Sequence, residues 1–179
     1  MNTKDLLRIQ LREKRSQISK RRREDAEEAI FKKIVGKVEG FMNILSFVSK
    51  KDEINTYPVN QFLAKDKRLF LPRIEGDELC PYRVNDISSD LELNKKWNIH
   101  EPIPSRCKKV SPFIIDCILV PGLGFDKINH RLGYGKGHFD RFLAKMNCTT
   151  YGIGYKEQFL EELLPIEPHD ILLTEIILA

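Results

Sequence analysis

The stretch from Phe113 to Arg141 reads FIIDCILVPGLGFDKINHRLGYGKGHFDR. Its first part, Phe113–Val120, is almost continuously apolar and rich in β-branched residues, which is typical of a strand covered on both faces. A glycine-rich loop follows at the expected carboxyl end of this strand, and a helix is predicted over about residues 138–146. In open α/β sheets, ligands bind in the crevice at that end of the strands. The stretch therefore predicts a buried strand that leads into a ligand-binding loop.

Apolar patterns on both sides of this stretch predict an alternation of strands and helices. A helix over residues 3–17 precedes a second helix, which Ser19 can cap and whose apolar stripe recurs at four-residue steps, at Ala26, Ile30, Ile34 and Val38. Further helices are predicted at Thr56–Ala64 and Glu157–Leu164, and strands at Asn43–Val48, Arg68–Leu71 (ended by Pro72), Leu79–Val84, Tyr151–Tyr155 and Thr174–Leu178, while residues 85–112 read as irregular. We expect one α/β domain over residues 1–179, a three-layer α/β/α sandwich with a mostly parallel, Rossmann-like sheet.

The basic residues are concentrated near the N-terminus. The chain carries a formal charge of +4, and residues 1–40 hold twelve Lys/Arg against seven Asp/Glu, a net of +5. Such an excess indicates either a polyanionic ligand or two solvated helices. No apolar run approaches the ~20 residues of a membrane span, and the N-terminus lacks a secretory pattern, so a cytoplasmic protein that binds no membrane is expected. The four cysteines lack the spacing of a zinc site.

The glycine-rich loop has the features of a phosphate site. Gly133, Gly135 and Gly137 alternate along it, which allows a ligand to approach backbone N–H groups closely. Arg131 and Lys136 add positive charge, and the following helix would begin with its positive dipole end at the loop. The spacing matches neither a Walker A loop nor the dinucleotide pattern G-x-G-x-x-G. A turn that needs glycines only for tightness is the alternative.

Several further motifs occur in a recognisable order along the chain. They are KDLLR at Lys4–Arg8, EINT at Glu53–Thr56, LPR at Leu71–Arg73, WNIHEP at Trp97–Pro102, the stretch Asp116–Arg141, and HD at His169–Asp170. This set, over essentially the whole length, resembles the 5-formyltetrahydrofolate cyclo-ligase family. Two positions depart from the family pattern. Asn129 replaces a usual glycine in a turn, which Asn can tolerate in the left-handed conformation, and His138 stands where the family usually has Tyr.

The resemblance implies an ATP-dependent ring closure. ATP would phosphorylate the N5-formyl oxygen of 5-formyltetrahydrofolate to give an iminium phosphate, and attack by N10 would then release phosphate. The products would be 5,10-methenyltetrahydrofolate, ADP and phosphate, with Mg²⁺ as the cofactor. Both substrates are small molecules, and a monomer that binds no nucleic acid is expected.

The resemblance also assigns roles to residues of this chain. Catalytic roles fall to Lys4, Arg131 and Lys136. The expected metal ligands are Asp140 and Asp170. Folate binding is assigned to Val48, Glu53, Trp97 and His138. ATP binding is assigned to Lys4, Asp5, Leu6, Leu7, Arg8, Arg131, Leu132, Gly133, Tyr134, Gly135, Lys136, Gly137, His138 and Phe139.

Two other functions are compatible with parts of the sequence. A basic RNA-binding module would use the N-terminal helices, although neither an RNP-type aromatic motif nor a GXXG loop is present. An ATP-independent enzyme of the same fold, related to sugar-phosphate isomerases or CoA transferases, would use the same sheet, since fold alone does not determine function. Measuring ATP and RNA binding at several salt concentrations would distinguish the RNA-binding module from the ATP-dependent enzyme. Affinity for nucleic acid falls steeply as the salt concentration rises.

Overall fold

The computed structural model describes residues 3–179. The α-helices are α1 Thr3–Ser16, α2 Lys20–Lys37, α3 Tyr57–Lys65 and α4 His138–Leu143. The strands are β1 Ile44–Leu45, β2 Leu69–Glu75, β3 Glu78–Arg83, β4 Leu91–Asn94, β5 Ile99–Pro102, β6 Lys108–Lys109, β7 Cys117–Pro121, β8 Gly124–Asp126, β9 Arg131–Leu132, β10 Thr149–Gly154, β11 Phe159–Leu160 and β12 Glu175–Leu178.

A seven-stranded sheet of order β12-β10-β7-β1-β2-β3-β6 forms the centre of the molecule. The strands from β12 to β2 are parallel, while β3 and β6 are added by antiparallel pairing at one edge. The predicted α/β class with a mostly parallel sheet is therefore confirmed. Neighbouring parallel strands must be joined by crossovers, which contain α3 between β1 and β2 and α4 between β7 and β10.

Side chains of the central strands alternate between two apolar cores, one on each face of the sheet. Cys117 and Leu119 of β7 face the core that contains Ile30 and Ile34 of α2. The intervening Ile118 and Val120 face the other core, with Phe142 and Leu143 of α4. Because strand side chains point alternately to opposite faces, a strand covered by helices on both sides must be apolar throughout. The three-layer arrangement is confirmed.

A small second sheet attaches α1 to the body of the protein. Its strand order is β11-β8-β9, and β8 and β9 form the antiparallel hairpin that follows β7. Leu11 of α1 packs there against Leu123, Leu132 and Leu164. This contact places the basic face of α1 beside the glycine-rich loop. Within residues 3–179, no helix is both long and apolar enough to cross a membrane.

The predicted helix Glu157–Leu164 is wrong. A 3₁₀ turn spans Lys156–Gln158, and the chain then extends as β11 alongside β8. The buried Gln158 side chain accepts from the Tyr155 amide at 2.8 Å and donates to the Gly122 carbonyl at 2.7 Å. The Leu164 amide donates to the buried Asp126 carboxylate. The Leu164 amide, which a helix would have paired internally, thus has a tertiary partner instead.

Other predicted boundaries also need correction. Residues 112–114 form a 3₁₀ turn, so the apolar strand begins at Cys117 and not at Phe113. β2 continues through Pro72 and ends at Glu75. In the antiparallel register, Pro72 faces Pro81 of β3. The segment 85–112 is not wholly irregular, because it contains the β4–β5 hairpin and β6. The last helix ends at Leu143, three residues short of the prediction.

Candidate active site

Two clefts meet at the glycine-rich loop, near the carboxyl ends of β1, β2 and β7. The first is mainly apolar, with walls that include Phe47, Ile74, Trp97 and Phe139. The second is lined by cations, carboxylates and glycines. Residues common to both linings are Arg131, Gly133, Lys136, Gly137 and Asp140. The loop is thus a wall shared by an apolar and a charged cleft.

Positive backbone angles give the loop its shape. Gly135 has φ +91° and Gly137 has φ +67°, both in the region that L side chains rarely adopt. A Cβ on Gly135 would lie 3.3 Å from the guanidinium carbon of Arg8. Arg8 itself donates from Nε to the Gly133 carbonyl at 3.1 Å. The glycines therefore allow α1 to pack directly against the loop. Asn129, with φ +71°, adopts the left-handed conformation expected at its turn.

Ion pairs organise the charged cleft. Lys4, only 5% exposed, lies 2.6 Å from Asp170 Oδ2 and 3.1 Å from Glu167 Oε2. Burial acts to raise the pKa of Asp170, but the hydrogen bonds from Lys4 and from the Glu167 amide outweigh it and lower that pKa. Arg8 pairs with Asp5 at 2.7 Å. The cleft thus holds preformed positive charge next to an ionised carboxylate.

Arg131 links the sheet to the loop. Nη1 donates to the Pro121 carbonyl at 3.1 Å, at the end of β7, and Nη2 donates to Asp140 Oδ1. Its Nε is buried and finds no hydrogen-bond partner among residues 3–179. The guanidinium is therefore fixed in place and keeps one donor for another group.

In the apolar cleft, Glu53 is the buried carboxylate. It is 8% exposed, and it accepts from the Lys50 amide at 2.7 Å and from the Tyr134 hydroxyl. Glu53 follows β1, whose carboxyl end points to this cleft. A buried carboxylate with organised partners is a strong recognition group for a ligand that presents N–H donors.

Trp97 and His138 form the aromatic side of the same cleft. Trp97 lies in the turn between β4 and β5, and its ring meets the His138 ring edge-on at 5.3 Å between centroids. His138 Nδ1 lies 3.2 Å from Arg141 Nη2 and 3.3 Å from the Asp77 carbonyl. Its Nε2 is buried and has no partner among residues 3–179. The cleft can therefore cover a flat aromatic ligand and offer it a polar contact.

The structure divides the predicted ATP-binding residues into three groups. Those lining the charged cleft are Lys4, Arg8, Arg131, Leu132, Gly133, Gly135, Lys136 and Gly137. Tyr134, His138 and Phe139 line the apolar cleft instead. Asp5, Leu6 and Leu7 line neither: Asp5 pairs with Arg8, Leu6 is exposed, and Leu7 packs beside Leu11.

The predicted folate residues lie together. Val48, Glu53, Trp97 and His138 all line the apolar cleft, although they are far apart in sequence. The sequence reasoning missed Lys50, whose amide holds Glu53, and Glu167, which pairs with Lys4. The sequence did offer a signal for Glu167, because Glu167, His169 and Asp170 form a short polar cluster around Pro168.

The predicted metal ligands Asp140 and Asp170 both line the charged cleft. Asp140 is held through Oδ1 by Arg131, and Asp170 through Oδ2 by Lys4. Glu167, His169 and Asp170 have potential ligand atoms within 4.8 Å of one another. Carboxylate oxygens are the protein ligands that Mg²⁺ prefers, and this cation usually keeps waters and phosphate oxygens as its other ligands. Asp170, together with Glu167 and His169, therefore fits a magnesium ion, and Asp140 lines the same cleft.

Comparison with known proteins identifies the family. The model of the 5-formyltetrahydrofolate cyclo-ligase family matches residues 1–179. The chain belongs to this family. The mouse protein named 5-formyltetrahydrofolate cyclo-ligase is 31% identical over 144 residues, which cover 73% of this chain and 70% of the mouse protein. The chain is therefore a cyclo-ligase family enzyme, a ligase of folate metabolism.

Solved structures of cyclo-ligase relatives share the fold. The NMR structure of Aquifex aeolicus 5,10-methenyltetrahydrofolate synthetase is 29% identical, with a TM-score of 0.87, and the match covers 98% of this chain and 89% of that one. The 5,10-methenyltetrahydrofolate synthetase from Mycoplasma pneumoniae is 26% identical, with a TM-score of 0.78 and 98% coverage of both chains. The architecture of this chain is thus that of methenyltetrahydrofolate synthetases.

Proposed function

We propose that this cyclo-ligase converts 5-formyltetrahydrofolate and ATP to 5,10-methenyltetrahydrofolate, ADP and phosphate. The observation that carries the proposal is the shared wall between the two clefts. The apolar cleft has the aromatic surface and the buried carboxylate that a pterin requires, and the charged cleft has the cations that a triphosphate requires. Two substrates bound in adjoining clefts that share these residues would be held side by side, which favours their reaction.

The charged cleft supplies the groups that would hold the triphosphate. Lys4 and Arg8 reach it from α1, while Arg131 and Lys136 belong to the loop and its flank. This placement gives two of the basic residues of α1 a function, since the charges of Lys4 and Arg8 would neutralise phosphate oxygens. Loop amides beside Gly133 and Gly135 would add neutral donors.

The apolar cleft supplies the groups that would hold the folate. Glu53 would accept hydrogen bonds from the ring nitrogens of the pterin, because its carboxylate is buried and already oriented. Trp97 and Val48 would cover the flat rings, and His138 Nε2 would contact a polar atom of the substrate. A closed apolar wall would also keep water from the activated formyl group.

The reaction asks the protein for position and charge neutralisation more than for covalent chemistry. The N5-formyl oxygen attacks the γ-phosphorus, the bond to the β–γ bridging oxygen breaks, and ADP leaves. The N10 lone pair then attacks the formyl carbon of the iminium phosphate, N10 loses its proton, and the C–O bond breaks to release phosphate. Lys136 and Arg131 would stabilise the charge on the transferred phosphoryl group. Asp140 and Asp170 would hold Mg²⁺, which neutralises phosphate charge when bound.

An absorbance assay for methenyltetrahydrofolate tests this proposal. The purified protein is mixed with 5-formyltetrahydrofolate and Mg-ATP, and parallel samples lack ATP or contain excess EDTA. We expect product only in the complete mixture. Turnover of equal rate without nucleotide would favour an ATP-independent enzyme of the same fold, and equal turnover in EDTA would remove the metal from the proposal.

A further inference from the structure

One residue of the glycine-rich loop points away from the charged cleft. Tyr134 lies between Gly133 and Gly135, which line the charged cleft, yet its own side chain lines the apolar cleft. The Tyr134 hydroxyl donates to Glu53 Oε1, and the Lys50 amide donates to Glu53 Oε2 at 2.7 Å. Both oxygens of this buried carboxylate are thus fixed by donors, and each keeps a further lone pair for a ligand.

The Tyr134 ring is itself held by cations. Lys50 Nζ lies 4.5 Å from the ring centroid, and the guanidinium carbons of Arg15 and Arg12 lie at 5.6 and 5.8 Å. Arg15 is fully buried and is in turn fixed by Asp52, whose Oδ2 lies 3.1 Å from Arg15 Nε. Cation–π contacts favour this ring position, so the phenol has little freedom to leave Glu53.

The hydroxyl remains a donor at any physiological pH. Burial, and then the negative charge of Glu53, raise the pKa of Tyr134 well above its usual value. A neutral phenol that donates to an ionised carboxylate forms a charge-assisted hydrogen bond, stronger than one between neutral groups. The phenol thereby compensates part of the cost of burying the Glu53 charge.

We propose that Tyr134 is a positioning residue of the folate cleft, whose hydroxyl holds the Glu53 carboxylate in the orientation that receives the N–H donors of the substrate's pterin ring. The inference rests on the proposed function, since it takes Glu53 as a group that binds folate. It also assigns the Tyr134 side chain to folate and only its loop neighbours to the nucleotide. Without the hydroxyl, Glu53 has to be reorganised each time a substrate binds, which weakens binding.

The test compares Tyr134→Phe with Tyr82→Phe. Tyr82 is a matched control, because its hydroxyl also donates to a glutamate, Glu75, but lines neither cleft. We expect Tyr134→Phe to raise KM for 5-formyltetrahydrofolate about tenfold, the loss expected for one charge-assisted hydrogen bond. KM for ATP should stay within about twofold of the parent. Tyr82→Phe should change neither KM.

A double-mutant cycle with Glu53→Gln separates positioning from a general structural role. If Tyr134 acts through Glu53, Tyr134→Phe raises KM for the folate substrate in the parent but has little further effect in Glu53→Gln. An unchanged or lower KM in Tyr134→Phe, fully additive effects in the cycle, or equal increases of both KM values would overturn the inference. In each of these cases the parent enzyme is active, so the proposed function survives. An inactive parent would instead overturn both.

Discussion

Three charged residues of the two clefts are buried more deeply than surface charges usually are. Lys4, Glu53 and Arg131 are each less than a tenth exposed. A buried charge is costly unless it has partners, and each has one: Lys4 pairs with Asp170, Glu53 with the Tyr134 hydroxyl, and Arg131 with Asp140. These pairs fix the side chains before any substrate arrives, which reduces the cost of ordering them on binding.

Arg8 provides a test of the nucleotide contacts at the level of one side chain. Arg8→Gln removes the positive charge that lies beside Gly133 and Gly135. We expect KM for ATP to rise roughly ten- to a hundredfold, as for the loss of a hydrogen bond to a charged group, while KM for the folate substrate changes little. Steady-state kinetics with each substrate varied in turn provides the measurement.

The control for this variant is Lys20→Ala on α2, whose side chain is 91% exposed and remote from both clefts. It removes one charge and leaves the same net charge as Arg8→Gln. If both variants raise KM for ATP equally, the effect comes from the overall field of the protein, and Arg8 has no specific contact with the phosphates.

Asp126 provides a test of stability that does not involve the clefts. This fully buried carboxylate accepts from the amides of Ile128, His130 and Leu164 and so joins the β8–β9 hairpin to the segment after β11. Burial acts to raise the pKa of Asp126, but these amides and the His130 side chain outweigh it and lower the pKa. We expect Asp126→Asn to reduce the free energy of unfolding by about 1–3 kcal/mol at pH 7.

The pH dependence of this loss has a definite sign. A carboxyl whose pKa is lower in the folded state stabilises the protein above the pKa of the unfolded chain, and this contribution disappears as the pH falls through the folded-state pKa. The difference between parent and Asp126→Asn in urea unfolding should therefore shrink below about pH 4. Asp25→Asn, an exposed position on α2, is the control. A difference that grows towards acid pH would contradict this account of Asp126.

At the scale of elements, the glycine-rich loop determines how the two clefts are separated. Gly135→Val tests it, because residue 135 has φ +91° and a Cβ would lie 3.3 Å from Arg8. A β-branched residue is strained in that conformation, so the loop must change shape and displace Arg8. We expect ATP binding to be lost while folate binding is retained, because Glu53 and Trp97 belong to other elements.

Calorimetric titration of both ligands and thermal melting measure these effects. Gly40→Val is the matched control, since residue 40 follows α2 in a turn with no heavy atom within 4 Å of the added Cβ. Unchanged ATP affinity in Gly135→Val would remove the loop from the nucleotide site. Loss of both ligands together with a large fall in Tm would instead mean that the glycines serve folding.

The sequence was most informative where the side-chain pattern follows one element. The stripe of Ala26, Ile30 and Ile34 predicted α2, and the three residues are fully buried. Ser19 caps this helix as predicted, by accepting from the Arg22 amide at 3.2 Å. Such patterns predict a helix well because the apolar residues that recur at the helical period are the ones that the helix buries.

The sequence pattern failed to predict secondary structure where a segment is held by residues distant in sequence and not by its own neighbours. The segment Glu157–Leu164 has a helical composition, but the Gln158 side chain binds the Tyr155 amide and the Gly122 carbonyl, Asp126 accepts from the Leu164 amide, and Phe159 pairs with β8. Pro72 does not end β2, because the facing residue in β3 is Pro81 and the pair requires no N–H from either. Local propensity holds no information about such partners.

At the scale of the whole molecule, the fold brings distant parts of the chain to one edge of the sheet. Lys4 comes from the first helix, Glu53 follows β1, Arg131 belongs to β9, and Asp170 precedes β12. The resemblance assigned Lys4 to the nucleotide and Glu53 to the folate, and these residues line the charged and the apolar cleft respectively. It also assigned Tyr134 to the nucleotide, but Tyr134 lines the apolar cleft, where Glu53 accepts from its hydroxyl and Arg12, Arg15 and Lys50 contact its ring. The sequence does not reveal the direction of a side chain between two glycines, because no periodic pattern surrounds it.

The most direct test of the central claim follows the formyl oxygen through the reaction. If ATP on one side of the loop phosphorylates the N5-formyl oxygen on the other, that oxygen must leave with the phosphate. With 5-formyltetrahydrofolate labelled with ¹⁸O in the formyl group, mass spectrometry of the released phosphate should find one labelled oxygen for each methenyltetrahydrofolate formed. Unlabelled phosphate, with the label released as water, would contradict the account, because ring closure would then proceed without phosphoryl transfer between the two clefts.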